Sequence, residues 1–82
     1  MWYVYIIKCS DSSLYTGVTT DVKRRLGEHN AKTGARYTYG RTPVRLLHSE
    51  RYPDRSGALK REAEIKSWPR IKKLALIKKG HD

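Results

Sequence analysis

From Trp2 the chain reads Trp-Tyr-Val-Tyr-Ile-Ile before its first charge at Lys8. That density of β-branched and aromatic residues predicts a strand over Trp2–Lys8. Tyr3, Tyr5 and Ile7 fall on one face, and Trp2, Val4 and Ile6 on the other. A strand apolar on both faces belongs in the middle of its sheet. The short polar run Cys-Ser-Asp-Ser-Ser supplies a turn, because such side chains bond their own backbone. Leu14–Val18 then returns as a second strand, which makes a hairpin. With an odd loop centred near Asp11, Tyr5 lies opposite Gly17 and Tyr15 sits diagonally beside it on the same face. An even loop would put the two phenols on opposite faces.

Beyond the hairpin the period changes. Thr19-Thr20-Asp21 offers capping oxygens, and a helix is expected from Val22 to about Lys32, ending near Gly34. Val22 and Leu26 mark its buried arc, with His29 inside the arc, Arg25 at its edge and Arg24 pointing away. Arg25 and His29 stand one turn apart and can act on one target. Ala35–Arg41 is basic and aromatic together, a loop or short helix. Its arginines suit phosphates and its tyrosines suit either base stacking or roofing the core. Thr42-Pro43 breaks the chain. Val44–Glu50 reads as a third strand closed by Pro53, with Leu47 and His48 on opposite faces and His48 structural or exposed.

A second helix is expected over Arg55–Ser67, capped by Asp54 or Ser56. Ala58, Leu59 and Ile65 define its apolar arc. Glu62 falls inside that arc, whereas Lys60, Arg61 and Glu64 lie on the polar side. An inward carboxylate costs several kcal/mol unless it is paired or metal-bound, so Glu62 stands out; Lys66, four residues on, is a ready ion-pair partner. Ser67-Trp68-Pro69 suggests a helix restart, with Ser67 as cap. In Arg70–Lys79, Ile71, Leu74, Leu76 and Ile77 should dock on the sheet. Lys72 and Lys73 belong to a basic side that is either a nucleic-acid track or a solvated face. Gly80 ends that helix, and His81-Asp82 forms a frayed tail.

Composition narrows the function classes. The 82 residues allow one small domain, 1–82, with a modest core, and the formal charge of +10 favours salt-dependent association with a polyanion, nucleic acid first. No run is long enough to span a membrane and no leader is visible. The single Cys9 excludes an intramolecular disulfide and fits a reducing cytoplasm. One Cys and three scattered His lack zinc spacing, and no phosphate loop, nucleophile elbow or dinucleotide fingerprint occurs.

Tyr3-Val4-Tyr5 followed by Tyr15-Thr16-Gly17 resembles the paired signature of the GIY-YIG nuclease superfamily. Arg25 and His29 on the next helix and Ala58-Leu59-x-x-Glu62 on a later one continue the resemblance over most of the chain. It looks closest to the small stand-alone bacterial members. Tyr3 and Val4 replace the Gly and Ile of the name, and Thr16 replaces Ile. Val18-Thr19-Thr20 lacks the basic residue that often follows the second triplet in repair and homing members, and Ile65-Lys66 comes one residue earlier than the usual Ile-Lys pair.

The resemblance implies an α/β fold, a three-stranded antiparallel sheet flanked by three or more helices. It implies a DNA endonuclease using one divalent ion, Mg²⁺ or Mn²⁺, with repair or recombination as the expected setting. Arg25 would hold a non-bridging phosphate oxygen, and Glu62 would anchor the metal through oxygen. Tyr5 would be the base candidate, with Tyr15 and His29 orienting water or relaying its proton. A phenol with a free pKa of about 10 needs help from a metal, Arg25 or His29 to do this. Arg24, Arg36, Arg41, Lys72 and Lys73 are candidate nucleic-acid contacts, and branched and single-stranded DNA are candidate substrates. Two other readings stay open. One is a nucleic-acid-binding module with little cleavage of its own. The other is a structural basic protein, which would not gather Tyr5, Tyr15, Arg25 and Glu62 in one cleft.

Overall fold

A computed structural model of the chain describes residues 1–31 and 36–79. The strands are β1 (Trp2–Lys8), β2 (Leu14–Thr19) and β3 (Arg45–Tyr52), and the helices are α1 (Val22–Asn30), α2 (Arg55–Lys66) and α3 (Arg70–Lys79). A 3₁₀ turn covers Arg36–Thr38. The sheet order is β2-β1-β3, all antiparallel, so the strand that is apolar on both faces is the central one.

The hairpin register is the odd one, with Tyr5 opposite Gly17 and Ile7 opposite Tyr15. Alternation then sends Tyr5, Ile7 and Tyr15 to one side of the sheet, where Leu26 of α1, Cys9 and Val44 complete a small cluster. Val4 and Ile6 go to the other side, against Ala58 and Ile65 of α2 and Ile77 of α3, with Trp2, Leu47, Trp68 and Leu76 around them. The protein thus has two thin cores, one on each side of a sheet only three strands wide.

Several boundaries and faces differ from the sequence expectation. Helix α1 stops at Asn30, with Ala31 as its C-cap; the expected continuation to Lys32 and the stop at Gly34 lie outside the described residues, as do Ala35 and the Gly80–Asp82 tail. Strand β3 starts one residue later than expected and runs to Tyr52. Ile6 pairs with His48 but Ile7 pairs with Leu46, so Leu47 is the extra residue of a β-bulge. The bulge resets alternation: Leu47 packs with Val4 and Ile6, and His48 bonds Glu50, which holds Arg61 of α2. Leu47 and His48 therefore do not take opposite faces.

Ser67 is the C-cap of α2, its hydroxyl donating to the Glu64 carbonyl at 2.6 Å, and not the N-cap of the next helix. Leu59 is exposed, because the apolar residues that α2 buries are Ala58 and Ile65. Helix α3 docks by Ile77 and Leu76, leaving Ile71 78% exposed and Leu74 exposed as well. A helix lying at the edge of so small a sheet has only its last turn to bury.

Asp21 caps α1 and Asp54 caps α2, each carboxylate accepting from a backbone N–H three residues on. At the far end of α1, Asn30 forms a two-point clamp on Val44. It accepts from the Val44 N–H at 2.7 Å and donates to the Val44 carbonyl at 3.1 Å. These contacts fix α1 across the Tyr5 face of the sheet.

Candidate active site

Tyr5 is the centre of the site. Its ring is buried and leans over Gly17 on β2, where a methyl group would stand 2.6 Å from the hydroxyl. Helix α1 brings His29 above it, with Tyr5 Oη and His29 Nε2 2.9 Å apart and His29 Nδ1 and Thr38 Oγ1 2.8 Å apart. His29 and Thr38 are fully buried. Burial holds the His29 imidazole below its ordinary 6.5, and the Arg25 charge adds to this. Burial also pushes the Tyr5 phenol above its ordinary 10, although the neighbouring Arg25 guanidinium pulls it down. Both contacts suit a neutral imidazole in either tautomer, because the Tyr5 and Thr38 hydroxyls can each donate or accept.

Arg25 interacts with the Tyr5 hydroxyl and also donates to Glu28 Oε1 at 3.0 Å. Arg24, mostly in solvent, reaches Glu28 at 3.8 Å. These three side chains line a cavity of about 230 Å³ with Trp2, Val18, Thr19 and Thr20, at the end of β2. A larger groove of about 600 Å³ opens beside the other flank of α1, between Tyr3, Leu26, Leu46 and Ser49. Tyr15 completes the ring cluster, its centroid 6.4 Å from Tyr5 and 5.4 Å from His29.

Glu62 comes from α2 on the far side of the sheet, yet its charge is felt at the Tyr5 phenol and disfavours ionisation there. Its side chain is only 17% exposed and its Oε2 accepts from Lys66 Nζ at 3.1 Å. Among the described residues no three His, Cys, Asp or Glu side chains converge. A closed protein cage for a cation is therefore absent from them. A single hard carboxylate with open positions is the donor set of a Mg²⁺-type ion that keeps water and takes phosphate oxygen as a ligand.

Tyr5, Tyr15, Arg25 and His29 therefore cluster, whereas Glu62 stands on the other side of the sheet, outside the Arg25 cavity, and reaches the Tyr5 phenol only through its charge. The candidate nucleic-acid contacts are more dispersed. Arg41 pairs with Asp11 at 2.9 Å, donates to the Tyr37 carbonyl at 2.7 Å and covers the Tyr37 ring. Arg36 opens the 3₁₀ turn, exposed. Lys72 lies over the Trp68 ring, and Lys73 is half-buried. Arg61, expected on the polar side, is instead half-buried and bound to Glu50 of β3 through Nε at 2.8 Å and Nη2 at 3.1 Å.

Three participants were not singled out from sequence. Thr38 fixes the far nitrogen of His29, Glu28 occupies the Arg25 guanidinium, and Tyr37 stacks on Tyr15 with centroids 5.6 Å apart. Only Glu28 had a local signal, three residues after Arg25 on one helix.

A family model described as the GIY-YIG catalytic domain matches residues 1–75. A UPF0213 protein of Haloquadratum walsbyi is 62% identical over 80 residues, covering 98% of this chain and 90% of the relative. A Staphylococcus aureus UPF0213 protein is 57% identical, covering 93% of each chain. The solution NMR structure of a UPF0213 protein from Bacillus halodurans aligns with a TM-score of 0.63 and 46% identity, covering 98% of this chain and 87% of that one. A second NMR structure, of an E. faecalis protein, gives a TM-score of 0.64 at 43% identity, over 96% of this chain and 84% of that one. Among the described residues, no helix is long and apolar enough to cross a membrane.

Proposed function

The chain belongs to the GIY-YIG catalytic domain family, and from that premise we propose that it is a metal-dependent DNA endonuclease, one module over residues 1–82. The observation that carries this reading is the Tyr5 hydroxyl, bonded to the buried His29 imidazole and to the Arg25 guanidinium, with the Tyr15 ring beside both. A structural protein has no use for that convergence. The proposed substrate is DNA, with branched and single-stranded forms among the candidates, and the proposed setting is repair or recombination in the cytoplasm.

The chain's own residues divide the work as follows. Arg25 exchanges Glu28 for a non-bridging phosphate oxygen and stabilises the charge that develops there. Tyr5 accepts a proton from the attacking water as its own proton passes to His29 Nε2. The base at rest is therefore the neutral imidazole, and the phenol is the relay. In this scheme His29 carries its proton on Nδ1 and donates it to Thr38, which leaves Nε2 free to accept. Tyr15 walls the hydroxyl from bulk water. Glu62 would hold one Mg²⁺ or Mn²⁺, which supplies Lewis-acid charge at the phosphate. Arg24 extends the phosphate contact from the cavity rim, Arg36 from the 3₁₀ turn, Arg41 through the Tyr37 platform, and Lys72 and Lys73 from α3.

A second reading, a binding module that does not cut, draws on one observation: Arg25 and Glu62 each already have a counter-ion, Glu28 and Lys66. Labelled duplex, single-stranded, flap and four-way DNAs incubated with the protein in Mn²⁺ or in EDTA separate the two. Nuclease activity predicts cleavage of at least one form in Mn²⁺ and none in EDTA. Salt-sensitive binding without cleavage of any form establishes the binding module.

A further inference from the structure

Lys66 lies on the solvent side of α2, its side chain 53% exposed, and spends its charge on Glu62, the half-buried α2 carboxylate whose field reaches the Tyr5 phenol. The local charges nearly cancel: Arg25 and Lys66 against Glu28 and Glu62, with Arg24 adding one more positive group at the rim. A dication approaching the free protein meets no net attraction there, and it must share or displace the Lys66 contact at Glu62 Oε2. A phosphodiester changes this balance. It brings negative charge to Arg25, and its oxygen can complete the coordination that one carboxylate cannot.

We infer that Lys66 is a positioning residue that couples metal binding to nucleic-acid binding: it holds Glu62 in place, keeps the site closed to the ion in the free protein, and yields when a phosphate is present. This rests on the proposed nuclease reading. Linkage makes the coupling reciprocal, so the ion raises the affinity for DNA by the same factor. The spare positive charge beside the carboxylate lowers dication affinity by about three- to tenfold.

The test measures Mn²⁺ binding directly, by the loss of the free-ion electron paramagnetic resonance signal, with and without a short DNA. A Tyr5→Phe background keeps the DNA intact. With Lys66 present, Mn²⁺ should bind weakly to the free protein and at least tenfold more tightly with DNA. Lys66→Gln should bind Mn²⁺ three- to tenfold more tightly without DNA, and the gain from DNA should shrink. Circular dichroism checks that the variant is folded, as an exposed lysine predicts. Unchanged or weaker Mn²⁺ binding by Lys66→Gln overturns the inference, as does equal binding with and without DNA when Lys66 is present. Glu62→Gln separates the two levels of the argument. If it leaves Mn²⁺ binding intact, the metal role of Glu62 fails together with this inference. If it abolishes binding while Lys66→Gln changes nothing, only the coupling fails.

Discussion

Gly17 stands directly opposite Tyr5 in the hairpin, and a Cβ there would lie 2.6 Å from the phenolic oxygen and 2.8 Å from Cζ. The ring cannot swing aside freely, since it is buried and bonded to His29. Gly17→Ala should therefore push the hydroxyl off His29 at a cost of about 1–3 kcal/mol in stability. Cleavage should fall about a hundredfold, as misplacement of a reacting group by an ångström costs. Single-turnover cleavage and chemical denaturation of the same variant check both figures. An alanine variant with wild-type activity would mean that the position of the hydroxyl is not critical.

His29 gives the site a pH dependence with a definite sign. Its folded pKa lies below the unfolded 6.5. At pH above 6.5 both states are neutral and the stabilisation is complete; as pH falls below 6.5 the unfolded chain takes up a proton that the folded chain resists. Stability should therefore decline on acidification from 6.5. The cleavage rate should fall at a still lower pH, where folded His29 itself is protonated and can no longer accept from Tyr5. A pH–rate profile measures the second effect. Thr38→Val, which removes the partner of Nδ1, should lower the rate and reshape the acid limb.

Glu50 supports the site from behind. It accepts from His48 and Tyr52 at 2.8 and 2.9 Å and from Arg61, the residue next to Glu62 on α2. Although burial opposes it, these donors, Arg61 above all, carry the Glu50 carboxyl from 4.5 down to about 2. A depressed carboxyl stabilises fully above its unfolded value, and that contribution, about 3 kcal/mol, is lost as pH falls from 4.5 towards 2. Glu50→Gln should cost about 2–3 kcal/mol at neutral pH, because Arg61 is left half-buried with a weaker partner. Denaturant titrations across that pH range test both statements. The variant should also show a flatter acid response than wild type.

The Asn30–Val44 clamp joins the end of α1 to the start of β3 at 2.7 and 3.1 Å. Asn30→Ala removes both bonds and should cost about 1–3 kcal/mol. Because His29 precedes Asn30, the Tyr5–His29 contact should loosen as well. A lowered melting temperature together with a reduced cleavage rate is the expected result.

What was legible in the sequence follows from range. The central strand, the odd hairpin and the facing of Tyr5 towards Gly17 come from a period of two and a short turn, both local. The inward position of Glu62 came from helical spacing, also local. The bulge at Leu47 was not legible, since it exists only in the pairing of β3 with β1, some forty residues away. Arg61 looked solvated on its wheel because its partner Glu50 lies on another element. Thr38 was hidden for the same reason: its role depends on the fold carrying it under His29. Ile71 and Leu74 looked like core because periodicity cannot report that the sheet is too narrow to cover them.

The central claim is that Glu62 and Tyr5 act together on a phosphodiester. Single-turnover cleavage of the best DNA substrate in Mn²⁺, comparing wild type with Glu62→Gln and Tyr5→Phe at equal folded concentration, tests it most directly. A wild-type product should form and fall by at least a thousandfold in each variant, while DNA binding measured in EDTA stays within a few-fold. Cleavage that persists in Glu62→Gln at the wild-type rate would contradict it.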